Sequence, residues 1–327
     1  MSKIYSLISD QDVEVSFLND LKNRRLDYKH IFTGDKTIEI YSRNYSFLRP
    51  YYKNSEFGER DFLKFFRENI LQKIHKQQGL SIISLGCGEA NFGKEKETLK
   101  VLSQEDKIPL TYVGIDFSKY MLEFVEDRFS DCDFEKHFVY ADFRSYDFRS
   151  EIGYLIDKYP NKVFSLLGLT IINFVPTNIV DTLSNMLKKG NYLWLTLTLR
   201  EGVAKKDDFK IFSYYGEYLK ADASTAFKFE PLRIAGVPFK NGKMTLSASE
   251  EKSVGALKFT FNFEFSKKTT TKFRKERLTF LPEEKIELID IRVFDSDVFI
   301  EFLKQHGFEC LARERKGNYG QFLFRKK

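Results

Sequence analysis

Between residues 80 and 199 the chain repeats one pattern: a short apolar run, a turn, then an amphipathic stretch. The runs SIISLG, TYVGID, FEKHFVYAD, VFSLLGL and YLWLTLTL have the length and apolar content of buried strands. The stretches between them carry apolar residues at helical spacing, as Ile179, Leu183 and Leu187 do before the stop signal Lys188-Lys189-Gly190. Strands separated by helices are joined by right-handed crossovers, which make neighbouring strands parallel. The pattern predicts an open α/β sheet with helices on both faces. Ligands of such sheets bind outside the carboxyl ends of the strands, so the residues at those ends are where function is sought.

The flanks follow other rules. Residues up to about Tyr52 are polar and aromatic with weak periodicity, and GERDFLKFFRENILQKIHKQQG reads as one helix ended by Gly79. From about Arg200 to Pro282 the rhythm breaks. GALKFTFNFEFSKKTTTKF alternates with period two, as an antiparallel strand with one wet face does. KIELIDIRVFD then reads as a strand, DSDVFIEFLKQHG as a capped helix, and FECLARE with YGQFLFRKK as a closing antiparallel pair. Hydrophobic residues make up 42% of the 327, enough for a sizeable core and too many for a disordered chain. No apolar run approaches a membrane span and the N-terminus shows no secretory signal, so the chain reads as cytosolic. Cys87, Cys132 and Cys310 are odd in number and far apart, and make neither a disulfide framework nor a metal cluster. The net charge of +6 is scattered, with FRKK the only basic run, which argues against a nucleic-acid groove.

The most informative segment is SIISLGCGEANFGKE, an apolar strand running through Gly86-Cys87-Gly88 into a helix. A glycine turn lets the backbone approach a ligand closely. Gly88 to Lys94 nearly spells a P-loop, but Glu95 stands where a Ser or Thr should hold magnesium, and a carboxylate there would repel phosphates. The dinucleotide pattern fails at Asn91. S-adenosylmethionine needs no phosphate cradle; it needs glycines at its amino-acid end and an acid on its ribose. YVGIDFS ends in Asp116, placed to accept from both ribose hydroxyls, and Ala141-Asp142-Phe143 ends the next strand with an acid and an aromatic suited to adenine. Asn173 follows the fourth strand and faces the same crevice. The plainer alternatives are that Asp116 and Asp142 cap helices and that Asn173 is a turn residue before Pro176.

In this order the motifs LGCGEANFGK, GIDFSKYML, ADF, GLTIINFVP and PYYKN resemble those of the histidine-specific methyltransferase family, whose best-known member trimethylates the α-amine of histidine on the way to ergothioneine. The resemblance implies a Rossmann-like class I methyltransferase sheet with an inserted α+β substrate-binding lobe. It divides the chain into an N-terminal segment contributing to the lobe (1–56), a cofactor-binding core (57–199), the insertion (200–282) and C-terminal elements completing the core sheet (283–327). It implies S-adenosyl-L-methionine as cofactor, held by Gly86, Gly88, Lys94, Asp116, Phe117, Asp142 and Phe143. Tyr51, Asn173, Asp290 and Arg292 would then contact the substrate, with Tyr52, Asp290 and Asn173 as the catalytic set; the family tyrosine points to Tyr52, with Tyr51 as the adjacent candidate.

One segment departs from the family. Its E-I-S, which holds the histidine, is here Asp290-Ile291-Arg292. The arm is one methylene shorter, and a bulky cation replaces a hydroxyl. Arg292 would either pair with Asp290 or clamp a substrate carboxylate. Leu169 and Ile172 replace a serine and a glycine of the G-S-T-I-G-N-F segment. The expected activity is therefore N-methylation of an amino acid or related small amine other than free histidine. Rival readings are a nucleic-acid or protein methyltransferase and a non-catalytic cofactor-binding relative. His30, His75, His137 and His306 fall in no catalytic motif.

Overall fold

The computed structural model describes residues 4–43, 57–145, 147–168, 170–200 and 222–327, with side chains except at 89–93, 222 and 223. In chain order the elements are β1 (Ile4–Ser6), α1 (Asp10–Lys22), α2 (Glu59–Asn69), β2 (Leu80–Leu85), α3 (Glu89–Gln104), β3 (Leu110–Asp116), α4 (Lys119–Arg128), β4 (Glu135–Tyr140), β5 (Asn161–Leu166), α5 (Pro176–Met186) and β6 (Tyr192–Thr198). There follow α6 (Asp222–Ile234), β7 (Gly242–Glu251), β8 (Ala256–Phe265), β9 (Thr269–Phe273), β10 (Glu276–Phe280), β11 (Lys285–Phe294), α7 (Ser296–Gln305), β12 (Phe308–Lys316) and β13 (Tyr319–Lys326).

The large sheet has the order β1-β4-β3-β2-β5-β6-β13-β12. The first six of these run parallel, whereas β13 pairs antiparallel with β6 and with β12. This is a doubly wound, Rossmann-like sheet whose order reverses between β2 and β5. At that point crossovers leave in opposite directions and open a crevice at the strand tips. All six residues of β2 are buried, as a strand covered on both faces requires. On one face, Phe62, Phe65 and Phe66 of α2 surround Trp194 of β6 with ring centroids 5.3–6.4 Å away. On the same side Glu95 of α3 is buried, and its carboxyl accepts from Ser84 (2.8 Å), Ser165 (2.6 Å) and Tyr112 (3.3 Å). These hydroxyls stand on β2, β5 and β3, so one side chain pins the helix behind the glycine turn to three strands. Burial pushes the Glu95 pKa up.

Three local expectations change. The helix from Glu59 ends at Asn69 instead of running to Gly79; the Asn69 amide donates to the Phe65 carbonyl at 3.1 Å and competes with the helical ladder. Gly79, at φ 75°, instead closes a 3-10 turn, Lys76–Gln78, and His75 precedes that turn. The period-two strand β8, the middle strand of a second sheet, β11-β8-β7, lacks the expected wet face: eight of its ten residues are buried, the polar Thr260 and Asn262 among them. The strand Lys285–Phe294, assigned from sequence to the core sheet, pairs antiparallel with β8. Within 283–327, only α7, β12 and β13 accompany the large sheet.

The N-terminal segment joins both sheets. β1 pairs with β4, and past α1 the Leu26 amide donates to Glu287 while the Glu287 amide donates to Arg24, at 2.8 and 2.9 Å. This bridge to β11 brings the following 3-10 turn, Tyr28–Phe32, over the tips of the large sheet, where Ser118 Oγ donates to the Phe32 carbonyl at 2.6 Å.

Candidate functional site

Among the described residues, two adjoining cavities lie at the strand tips. The first, of about 710 Å³, is lined by the glycine turn (Gly86, Gly88), the ends of β3 and β4 (Asp116, Phe117, Ala141, Asp142, Phe143, Arg144), and Tyr28, Lys29, Phe32 and Tyr41 from the N-terminal segment. Met121, Gly168, Thr170 and Phe174 complete it. The second, of about 870 Å³, is lined by Asp20, Arg25, Leu26, Asp27, Tyr28, Arg144, Asn173, Phe174, Val175, Asn178, Ile179, Glu287, Ile289 and Asp290. Tyr28, Arg144 and Phe174 belong to both and form their junction.

In the first cavity Gly86 is required by its backbone conformation, whereas Gly88 is crowded only by the movable end of a side chain. Gly86 sits at φ 73°, and a β-carbon there would lie 2.8 Å from Thr170 Cγ2; one on Gly88 would lie 2.9 Å from Met121 Cε. Gly86→Ala is expected to cost about 1–2 kcal/mol in backbone strain and to push Thr170 into the cavity. Thermal unfolding reads the first effect. Titration with S-adenosylhomocysteine reads the second, as an affinity at least roughly tenfold weaker for a displacement of that size. Unchanged binding would remove the turn from the site.

Asp116 lies at the tip of β3. Its Oδ2 accepts from the Gly88 amide at 3.2 Å and its Oδ1 from the Ser118 amide at 2.9 Å. Each oxygen keeps acceptor capacity for a hydroxyl donor. Burial raises its pKa to about 6 against the pull of those backbone N–H groups.

Asp142 differs. It accepts from the Arg144 amide and Nε at Oδ1 (3.1 and 2.8 Å), and from Arg144 Nη2 and Lys29 Nζ at Oδ2 (2.7 and 3.1 Å). Burial alone would raise this carboxyl, but the two cations hold it well below the ordinary range. A carboxylate offers about four lone-pair sites, and all are taken. No acceptor site is therefore vacant on Asp142 for the hydrogen bond expected from an adenine amino group. Phe143 does reach the cavity wall, edge-on to Phe174 at 5.8 Å. Phe117 is in the wall too, with Lys29 Nζ 4.6 Å from its ring centre.

Lys94 does not line the cavity. It belongs to α3, and its ammonium lies 5.4 Å from the ring centre of Phe62 on α2. Glu95, read from sequence as a barrier to phosphates, faces the sheet and its three hydroxyls.

In the second cavity Asn173 and Asp290 come together from elements far apart in sequence. Asp290 accepts from Thr260 Oγ1 at 2.7 Å and faces three cations, Arg292 (3.4 Å), Arg25 (3.5 Å) and Lys258 (3.8 Å). Arg292 lines neither cavity. It is 1% exposed and gives Nε and Nη2 to Glu251 of β7 at 2.7 and 3.0 Å. Of the two alternatives posed by the sequence, the pairing with Asp290 is present, as a bond from Nη2 at 3.4 Å, but the shorter bonds go to Glu251, two strands away in the same sheet. Tyr51 and Tyr52 lie outside the described residues, as does Leu169.

Several residues of the site escaped the sequence reading. Arg144 is the main one; its spacing of two from Asp142 was visible, but not its second partner, Asp27, 2.7 Å from Nη1. Lys29, Tyr28 and Asp20 come from a segment without usable periodicity. His30 is fully buried beside them, its Nε2 3.0 Å from Asp20 Oδ2 and its Nδ1 without a partner among the described residues.

The family described as histidine-specific, SAM-dependent methyltransferase matches residues 22–326. Among solved structures, an S-adenosylmethionine-dependent methyltransferase from Clostridium acetobutylicum is 12% identical with a TM-score of 0.46, over 88% of this chain and 98% of that one. A Pyrococcus horikoshii protein is 14% identical with a TM-score of 0.42, over 86% and 99%. Among curated proteins none matches the chain. No helix among the described residues is long and apolar enough to cross a membrane. The sheet order and a match over nearly the whole length agree: this chain is a class I, S-adenosylmethionine-dependent methyltransferase and belongs to the histidine-specific methyltransferase family.

Proposed function

We propose that the enzyme methylates the amine of an amino acid or related small molecule other than free histidine, with the cofactor in the first cavity and the acceptor in the second. The observation that carries this reading is the shared wall of Tyr28, Arg144 and Phe174, which puts the two cavities side by side. The first cavity fits the cofactor. Its glycines leave the space a β-carbon would fill, Asp116 keeps acceptor capacity for two ribose hydroxyls, and Phe117, Phe143 and Phe174 supply aromatic walls. When bound, S-adenosylmethionine supplies a methyl group on a cationic sulfur.

The protein's own work is alignment and desolvation. Holding two reactants in line can supply roughly 7–11 kcal/mol of the barrier without covalent help. Aromatic faces attract a cation and exclude water. Asn173 can donate to or accept from the acceptor, and Asp290 can hold its amine. An amine must lose its proton before it attacks. Asp20 and Asp290 line the cavity as carboxylates that can pass that proton to water, and Tyr52 stays the proposed tyrosine partner. Two features support an acceptor other than histidine. Asp290 has a shorter arm than the family's glutamate, and it is already engaged by Thr260 and three cations.

The test is incubation with labelled S-adenosylmethionine and a panel of free amino acids and amines, read by mass spectrometry. Mass added in methyl steps to an amino acid other than histidine is the expected result. Efficient trimethylation of histidine would restore the simpler acceptor. Normal binding of S-adenosylhomocysteine with no transfer to any small amine would overturn the acceptor class.

A further inference from the structure

Among the described residues, Arg144 is the one charged side chain that lines both cavities. Its guanidinium is positioned from three sides. Asp142 takes Nε and Nη2 (2.8 and 2.7 Å), Asp27 takes Nη1 (2.7 Å), and Phe174 lies under it with 5.1 Å between Cζ and the ring centre. The group carries five N–H donors. Three are used by these carboxylates, so one N–H on Nη1 and one on Nη2 have no protein partner among the described residues. A guanidinium is always charged, and donors of this kind at a cavity wall bind an anionic oxygen.

Resting on the two-cavity reading above, we infer that Arg144 is the ligand for a carboxylate beside the acceptor's amine, and so sets the preference for an acid over the matching simple amine. The position of Arg144 limits what it can hold. It stands where the acceptor cavity meets the cofactor cavity, so a group bound to it lies next to the atom that receives the methyl. In an α-amino acid one carbon separates amine and carboxylate. An amine aimed through the junction therefore leaves its carboxylate within reach of Arg144. The other cations nearby are differently employed. Arg25 is 54% exposed and paired with Glu287 and Asp290 at the mouth. Lys29 lines only the first cavity and is held by Asp142 and the Phe117 ring. Arg292 is bound to Glu251 behind the wall.

A purely structural Arg144, which only ties Asp142 to Asp27, makes a different prediction. Its loss would harm cofactor binding and every acceptor alike. The experiment uses the standard amino acids, each matched with its own decarboxylated amine, with methyl transfer read by mass spectrometry and S-adenosylhomocysteine affinity by calorimetry. The wild-type enzyme should methylate at least one amino acid with kcat/KM roughly 10- to 100-fold above that of its amine, the range expected for a charge-assisted hydrogen bond pair. Arg144→Gln should lower the amino acid to the level of the amine, mainly through KM, with cofactor-product affinity nearly unchanged. Arg144→Lys, which keeps the charge for Asp142 and Asp27, should fall between and guards against a variant that does not fold. Equal losses on acid and amine, a parallel loss of S-adenosylhomocysteine binding, or a wild-type enzyme indifferent to the carboxylate would each overturn the role. No transfer to either series, with S-adenosylhomocysteine still bound, would instead remove the small-amine reading and this role with it.

Discussion

Cofactor affinity is expected to fall about tenfold per pH unit below pH 6, and Asp116→Asn to remove that dependence at a level roughly 10- to 100-fold below wild type at neutral pH. Burial raises the Asp116 pKa from 3.8 to about 6 in the ligand-free protein. Ribose hydroxyls donate to the ionised carboxylate, so a protein that has taken up a proton must release it to bind. The same group acts on stability with the opposite trend. A carboxyl whose folded pKa is raised contributes stability that is fully present below its unfolded value near 3.8 and is lost as pH rises through about 6. The ligand-free protein therefore gives up this contribution at neutral pH, where the cofactor binds best. The rise in melting temperature on adding S-adenosylhomocysteine should be larger at pH 7.5 than at pH 5 for wild type, and flat for Asp116→Asn. Calorimetric affinities that do not change between those pH values would show that Asp116 is not the group the cofactor meets.

Arg292→Ser is expected to destabilise the fold by about 3–5 kcal/mol, with cofactor affinity preserved. The guanidinium is buried, and its removal leaves Glu251 without its two hydrogen bonds and Asp290 with one cation fewer. Breaking one side of such a pair costs far more than replacing both sides. Arg292→Met combined with Glu251→Gln should recover a large part of the loss, and the double-mutant cycle should give a coupling of about 1–3 kcal/mol. Urea unfolding of the serine variant and of the four proteins of the Met/Gln cycle measures both quantities. A serine variant as stable as wild type but with a new acceptor preference would mean that Arg292 acts in the cavity after all.

The corrections at the site share a cause. Asp142 was placed rightly at the end of a strand, but its occupancy depends on Lys29, 113 residues away, and on Arg144, which Asp27 steadies from 117 residues away. Nothing in the ADF motif announces either partner. The Arg292 side chain meets Glu251 because β7 and β11 flank β8 in one sheet. Their 41-residue separation carries no trace of that. KIELIDIRVFD was legible as a strand but not as a strand of the second sheet, since a period of two reports that a chain is extended, not which neighbour it pairs with.

The strand tips around the glycine turn were the part legible along the chain. The alternation of apolar runs and helices required a parallel sheet, and Gly86, Gly88 and Asp116 sit at strand tips because the turns that place them are a few residues long. Local periodicity and short turns fix such geometry before any distant contact forms. The second cavity, by contrast, took shape only in three dimensions. Asn173, Asp290 and Arg144 face one cavity because the bridge from Leu26 to Glu287 brings the N-terminal segment and β11 over the sheet. Which acids and bases remain available there depends on ion pairs between segments far apart in the chain. Charge interactions depend on separation in space, and a linear order of residues records separation along the backbone.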